Sequence, residues 1–137
     1  MNEEKTEINI PSRLESIDEA VVETINFAQR AGFSEEAAYA IDMAVRESVA
    51  NAVKHGNKLD ETKQVEITLR NLSEGLEIVI RDHGEGFAVE EVPDPTNPEN
   101  LMKADGRGIL FMKTFMDEVE WSNHAEGGMV VKMLKKK

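Results

Sequence analysis

A carboxylate, a carboxamide and an imidazole stand at four-residue intervals in the stretch ESVANAVKHGN, at Glu47, Asn51 and His55. In a helix these groups project from successive turns of one side. An acid at Glu47 can orient or deprotonate a nucleophile. The Asn51 carbonyl is a hard oxygen ligand suited to Mg²⁺, which keeps waters and bridges to substrate phosphates. His55 falls in the last turn before Gly56, where a partly charged imidazole favours the helix C-terminus, so a capping role is preferred to a catalytic one. Taken alone, Glu47 reads first as an ordinary exposed helix acid.

Two glycine motifs change that balance. Asp82-x-Gly84-x-Gly86 follows an apolar alternation, and Gly106-Arg107-Gly108 opens a helical pattern. Each alone is a weak signal, often no more than a turn. In this order, with a proline-rich segment between them, they describe a nucleotide pocket. Asp82 can accept a hydrogen bond from an exocyclic amine, and Gly84 and Gly86 let a flat base lie against the backbone. At the other end, a helix N-terminus with two glycines exposes N–H groups to an anion, and Arg107 adds a bidentate phosphate donor.

The elements that must position these residues follow from periodicity. Lys5 to Ile10 alternates and ends at Pro11, which predicts a short strand at a sheet edge. Leu14, Ile17, Val21, Ile25 and Ala28 form the apolar stripe of a helix from about Leu14 to Ala31, closed by Gly32. Ser34 with Glu35 and Glu36 starts a second helix running to about His55, with the stripe Ala38, Ile41, Val45, Val49 and Ala52. Asn51 lies beside that stripe and Glu47 about 40° further round.

Val65, Ile67 and Leu69, then Leu76, Ile78 and Ile80, predict an antiparallel hairpin across the turn-forming residues 71–75. Ala88 to Asp105 holds Pro93, Pro95 and Pro98 and little apolar pattern, as a functional lid does. Ile109 to Met116 reads as a buried helix. Strands beginning at Val119 and Met129 close the chain. Trp121 is expected in the core, Met102, Met112, Met116, Met129 and Met133 as core filler or interface, and His83 and His124 as solvated loop groups. The order of elements predicts an α+β two-layer sandwich, with helices on one face of a mostly antiparallel sheet, in a single domain over residues 1–137.

Composition narrows the function. The 137 residues are 40% hydrophobic and 31% charged, which describes a globular chain. A net charge of −11 disfavours direct nucleic-acid binding and suits a partner with a basic surface. There is no cysteine, hence no disulfide, thiolate metal site or cysteine nucleophile. Apolar runs are too short to span a membrane, and the acidic start is no secretory signal, so a cytoplasmic protein is expected.

The three motifs together resemble the Bergerat-type ATP-binding superfamily (GHKL) of gyrase, Hsp90, histidine kinases and MutL. From EINIPSRLESIDEAVVETINFA through GRGILFMKTFMDEVEW, the chain is similar to the small stand-alone branch of anti-sigma-factor serine kinases, the RsbW and SpoIIAB type. NAVKHGN, RDHGEGF and FMDEVE are especially close to that pattern. The resemblance implies a homodimeric regulator that uses ATP and Mg²⁺, binds a sigma factor, and phosphorylates serine or threonine on an anti-anti-sigma (STAS-domain) partner.

Position by position, the resemblance implies Glu47 as general base and Asn51 as Mg²⁺ ligand. It implies Asp82 as adenine acceptor, with Gly84 and Gly86 shaping the base pocket. Gly106, Arg107 and Gly108 would cradle phosphates, Lys54 would add a phosphate contact, and residues 88–105 would be the ATP lid. Gly128-Met129 stands where many relatives carry Gly-Thr, which implies one polar contact to adenine fewer. The alternative function is an ATP-binding regulator that acts by sequestration without kinase activity.

Overall fold

A computed structural model describes residues 4–84 and 112–137. Gly86, Gly106, Arg107, Gly108, the expected lid at 88–105 and the first three residues of the expected helix at 109–116 lie outside the described residues; residues 112–115 are helical.

Among the described residues, five strands form one antiparallel sheet. They are β1 (Glu4–Pro11), β2 (Gln64–Asn71), β3 (Gly75–Arg81), β4 (Glu118–Asn123) and β5 (Met129–Lys136), in the spatial order β1-β2-β3-β5-β4. β1 is an edge strand, as the terminal proline predicts, since proline has no N–H to give a further neighbour. The hairpin register pairs Ile67 with Ile80 and Leu69 with Ile78. All four are buried, so the alternating pattern sets one face of the sheet into the core.

Helices α1 (Glu15–Arg30) and α2 (Glu35–Asn51) contribute to the same buried cluster as Ile8, Ile10, Val65, Ile78 and Met133. The other face of the sheet is half-exposed and carries ion pairs, Arg70–Glu77 at 3.9 Å, Lys132–Glu77 at 3.5 Å and Arg81–Glu66 at 3.8 Å. The architecture is the two-layer α+β sandwich that the element order predicts.

α1 departs in detail from its expected stripe. Leu14 is 50% exposed, whereas Ala20, Thr24 and Phe27 are buried beside Ile17, Val21 and Ala28. The buried face is rotated because Thr24 can enter the core: its hydroxyl donates to Ala20 O at 2.8 Å, which removes the cost of an unpaired polar group. Gly32, at φ +91°, then takes the left-handed conformation that ends the helix.

The cap of α2 forms as predicted. Ser34 Oγ accepts from Ala37 N at 3.1 Å and Glu35 and Glu36 occupy the first turn. Ser34→Ala is therefore expected to lower stability by about 1 kcal/mol, read as a shift in the urea unfolding midpoint. An unchanged midpoint would show that the cap contributes nothing.

The C-terminal end of α2 differs from expectation. The α-helix stops at Asn51, and Ala52–Gly56 continue as a π-helical turn in which Asn57 N donates to Ala52 O at 2.8 Å. Such single widened turns occur mostly at functional sites. The chain then reverses through Lys58 and Leu59, both in the left-handed region at φ 53° and 59°. Trp121 is also only half-buried; it sits on the edge strand β4 with the Lys113 ammonium 5.3 Å from its ring centre.

Candidate functional site

Asp82 follows the last residue of β3 and is 5% exposed. Its backbone N–H donates to Met129 O at 3.0 Å, extending the β3–β5 ladder by one step. Its carboxylate bends back over the same region. Oδ1 accepts from Gly84 N at 3.0 Å and from Met129 N at 3.1 Å. These two donors fix which oxygen faces the backbone. Oδ2 accepts no hydrogen bond from any described residue and faces Gly56.

Three glycines make this arrangement possible. A Cβ on Gly56 would stand 2.1 Å from Asp82 Oδ2, and one on Gly84 would stand 1.9 Å from Gly56 O. A Cβ on Gly128, at φ +91°, would stand 2.0 Å from Asp82 O. The π-helical turn, the exit of β3 and the entry of β5 thus meet backbone to backbone around one buried acid. From the sequence Gly84 is expected to make room for a base, Gly56 to stop the helix and Gly128 to precede β5; the close backbone approach at all three is set by the tertiary structure. A carboxylate oxygen that accepts nothing from the described residues is a fitting acceptor for an exocyclic amine on a flat base.

Glu47 and Asn51 lie one turn apart on α2, both half-buried. Neither makes a hydrogen bond or ion pair with another described residue. The neighbouring Arg46 is the opposite case. It donates to Asp18 at 2.6 Å and Asp42 at 3.2 Å, and those carboxylates, Asp18 first, raise its pKa further above the ordinary guanidinium value. A carboxylate and, one turn on, a carboxamide that have no partner among the described residues suit a nucleophile and a hard cation. Lys54, on the π-helical turn, is exposed and likewise unpaired among the described residues.

The histidines divide. His55 is exposed in the last helical turn, in keeping with a helix-terminal role. His83 is not a free loop group, because its Nε2 is hydrogen-bonded to Glu66 Oε2 on the adjoining strand β2. His124 is also used: its Nδ1 accepts from Glu126 N at 3.0 Å inside the β4–β5 turn. Both were expected to be solvated, and both partners come from folding that a lone loop histidine does not reveal.

A residue that sequence reasoning passes over stands behind Asp82. Asn57 is 1% exposed and its side chain makes three hydrogen bonds, to Ser12, Gln64 and His83. The only signal in the sequence is an asparagine after a helix-stopping glycine, which is typical of any turn.

A family model for the histidine kinase-like ATPase domain matches residues 10–135. The chain belongs to this family. As a histidine kinase-like ATPase domain it uses ATP. It is 28% identical to the serine-protein kinase RsbW of Oceanobacillus iheyensis over 140 residues, covering 98% of this chain and 87% of that protein. It is 27% identical to the protein of the same name in Bacillus subtilis, over 98% and 86%.

Among solved structures, the RsbU and RsbW domains of Rv1364c from Mycobacterium tuberculosis superpose with a TM-score of 0.68 at 14% identity, covering 97% of this chain and 32% of that one. The histidine kinase domain of Erythrobacter litoralis EL346 gives 0.55 at 17% identity, covering 90% and 60%. These two likenesses concern the fold. Among the described residues no helix is long and apolar enough to cross a membrane, and no cluster of three or more His, Asp or Glu could cage a metal ion.

Proposed function

We propose that the protein is an ATP-dependent protein-serine/threonine kinase that also acts as an anti-sigma factor, with an anti-anti-sigma (STAS-domain) protein as its phosphorylation target. The observation that carries this reading is the similarity, over 98% of the chain, to proteins named serine-protein kinase RsbW, with Glu47 and Asn51 both present and without a partner among the described residues. Bound Mg²⁺-ATP would supply the phosphoryl group and the main counter-charge.

The chain's own residues do the rest. Asp82 Oδ2 accepts from the adenine amine, with Gly84 and Gly86 shaping the base pocket. Asn51 presents its carbonyl oxygen to the metal. Glu47 takes the proton of the attacking hydroxyl as its oxygen bonds to phosphorus and the bond to the ADP leaving group breaks. Lys54, Gly106, Arg107 and Gly108 hold phosphates. The protein is a cytoplasmic homodimer in this reading. The deciding experiment is transfer of labelled phosphate from ATP to the cognate partner, with a pull-down to identify the sigma factor. Sigma-factor capture without any transfer would leave sequestration as the function.

Base recognition has its own test. In Asp82→Asn the amide oxygen is drawn to the Oδ1 position, where Gly84 N and Met129 N both donate. The amide NH₂ then falls where Oδ2 stood, and faces an amine with a donor. ADP affinity is expected to fall by about 1–3 kcal/mol. Calorimetry that finds equal ATP and GTP affinity in the parental protein would refute the role of Asp82.

A further inference from the structure

We propose that Asn57 is a positioning residue for nucleotide selection, holding the backbone that aims Asp82; this rests on the reading of Asp82 as the adenine acceptor. Asn57 Oδ1 accepts from His83 N at 2.7 Å. Its Nδ2 donates to Gln64 O at 3.0 Å and to Ser12 Oγ at 2.6 Å. Ser12 Oγ in turn donates to Lys63 O at 2.9 Å, so it offers Asn57 a lone pair and not a proton. The carboxamide can adopt only one orientation. Turned over, it would set its NH₂ against the His83 N–H and its oxygen against Gln64 O.

This single buried side chain ties together the residue after β1, the first residue of β2 and the exit of β3. The peptide it holds is the one between Asp82 and His83. The next N–H, of Gly84, is one of the two donors that fix Asp82 Oδ1. Met129 N, on β5, holds the same oxygen from the other side. The direction of Oδ2 is therefore set by two anchors, the sheet through Met129 and Asn57 through the His83–Gly84 backbone. Without Asn57 the His83 N–H and Gln64 O lose their buried partner, the Gly84 donor is no longer held, and the carboxylate is free to rotate about the Met129 contact. A rotating carboxylate still attracts a nucleotide's base edge, but it no longer distinguishes an amine from a carbonyl at one place.

The test uses the full chain with Mg²⁺ and titrates ADP and GDP calorimetrically into the parental protein, Asn57→Ala, Ser12→Ala and Val21→Ala. Val21 is buried on α1 and controls for general loss of stability. Asn57→Ala is expected to lose about tenfold in ADP affinity, with the ADP-to-GDP ratio moving toward one. Ser12→Ala removes only the outer link and is expected to shift the ratio in the same direction by about threefold. Val21→Ala should leave the ratio unchanged.

Hydrogen exchange without nucleotide supplies a second readout: the His83 and Gly84 amides should exchange faster in Asn57→Ala and not in Val21→Ala. A folded Asn57→Ala protein with the parental ratio overturns the inference. Should that variant fail to fold, an unchanged ratio and unchanged Gly84 exchange in Ser12→Ala overturns it instead. If the parental protein binds neither nucleotide, the reading of Asp82 fails first and the role of Asn57 falls with it.

Discussion

Glu47→Gln is expected to retain ATP and to lose phosphoryl transfer by roughly 10²–10⁴-fold. Glutamine keeps the shape of the side chain and removes its ability to take a proton. Glu47 makes no ion pair among the described residues and is only half-buried on α2, so its neutralisation leaves no partner unpaired and the fold should be unaffected. Asn51→Ala, one turn on, should differ in kind. It removes the oxygen offered to Mg²⁺ and should weaken metal-dependent nucleotide binding itself. Titration of ATP with and without Mg²⁺, beside a transfer assay on the cognate partner, separates the two effects. Parental transfer by Glu47→Gln would reduce Glu47 to an ordinary helix acid.

Gly84→Ala is expected to abolish measurable ADP binding and to destabilise the fold by about 1–3 kcal/mol or more. Its new Cβ would lie 1.9 Å from the Gly56 carbonyl oxygen, and backbone cannot give way as a flexible side chain can. Relief requires the β3 exit to separate from the π-helical turn, and that separation pulls Gly84 N away from Asp82 Oδ1. Gly56→Ala attacks the same junction from the other side, since its Cβ would overlap Asp82 Oδ2 itself at 2.1 Å. Asp82 Cγ and Cβ would also lie within 2.4 and 2.9 Å, so the whole side chain must shift and give up its Gly84 and Met129 donors, and the expected outcome is lost adenine selectivity with a loss of stability. Thermal unfolding together with ADP calorimetry reads both changes. Parental ADP affinity in Gly84→Ala would show that the close approach has no part in binding.

Much of the architecture is written locally. Val65, Ile67 and Leu69 alternate because successive strand residues face opposite sides, and that alone predicts which face of β2 is buried. Ser34 announces the start of α2 because its hydroxyl can bond an N–H three residues on without help from the rest of the fold. The separation of Glu47 and Asn51 by one turn is likewise a property of the helix. The motif set containing Asp82 and Gly84 was legible because a binding backbone needs particular residue types at fixed short spacings.

Tertiary structure alone decided the rest. The extent of the α1 buried face turned on whether Thr24 could satisfy its own hydroxyl. His83 found Glu66 only because β2 and β3 pair in one register. Gly56, Gly84, Gly128 and Asn57 matter because segments up to 72 positions apart in the chain approach to van der Waals contact around Asp82. Periodicity repeats along the backbone and can be read from a short window. A close approach between distant segments depends on how whole elements settle against one another, and at those distances one methyl group is enough to prevent it.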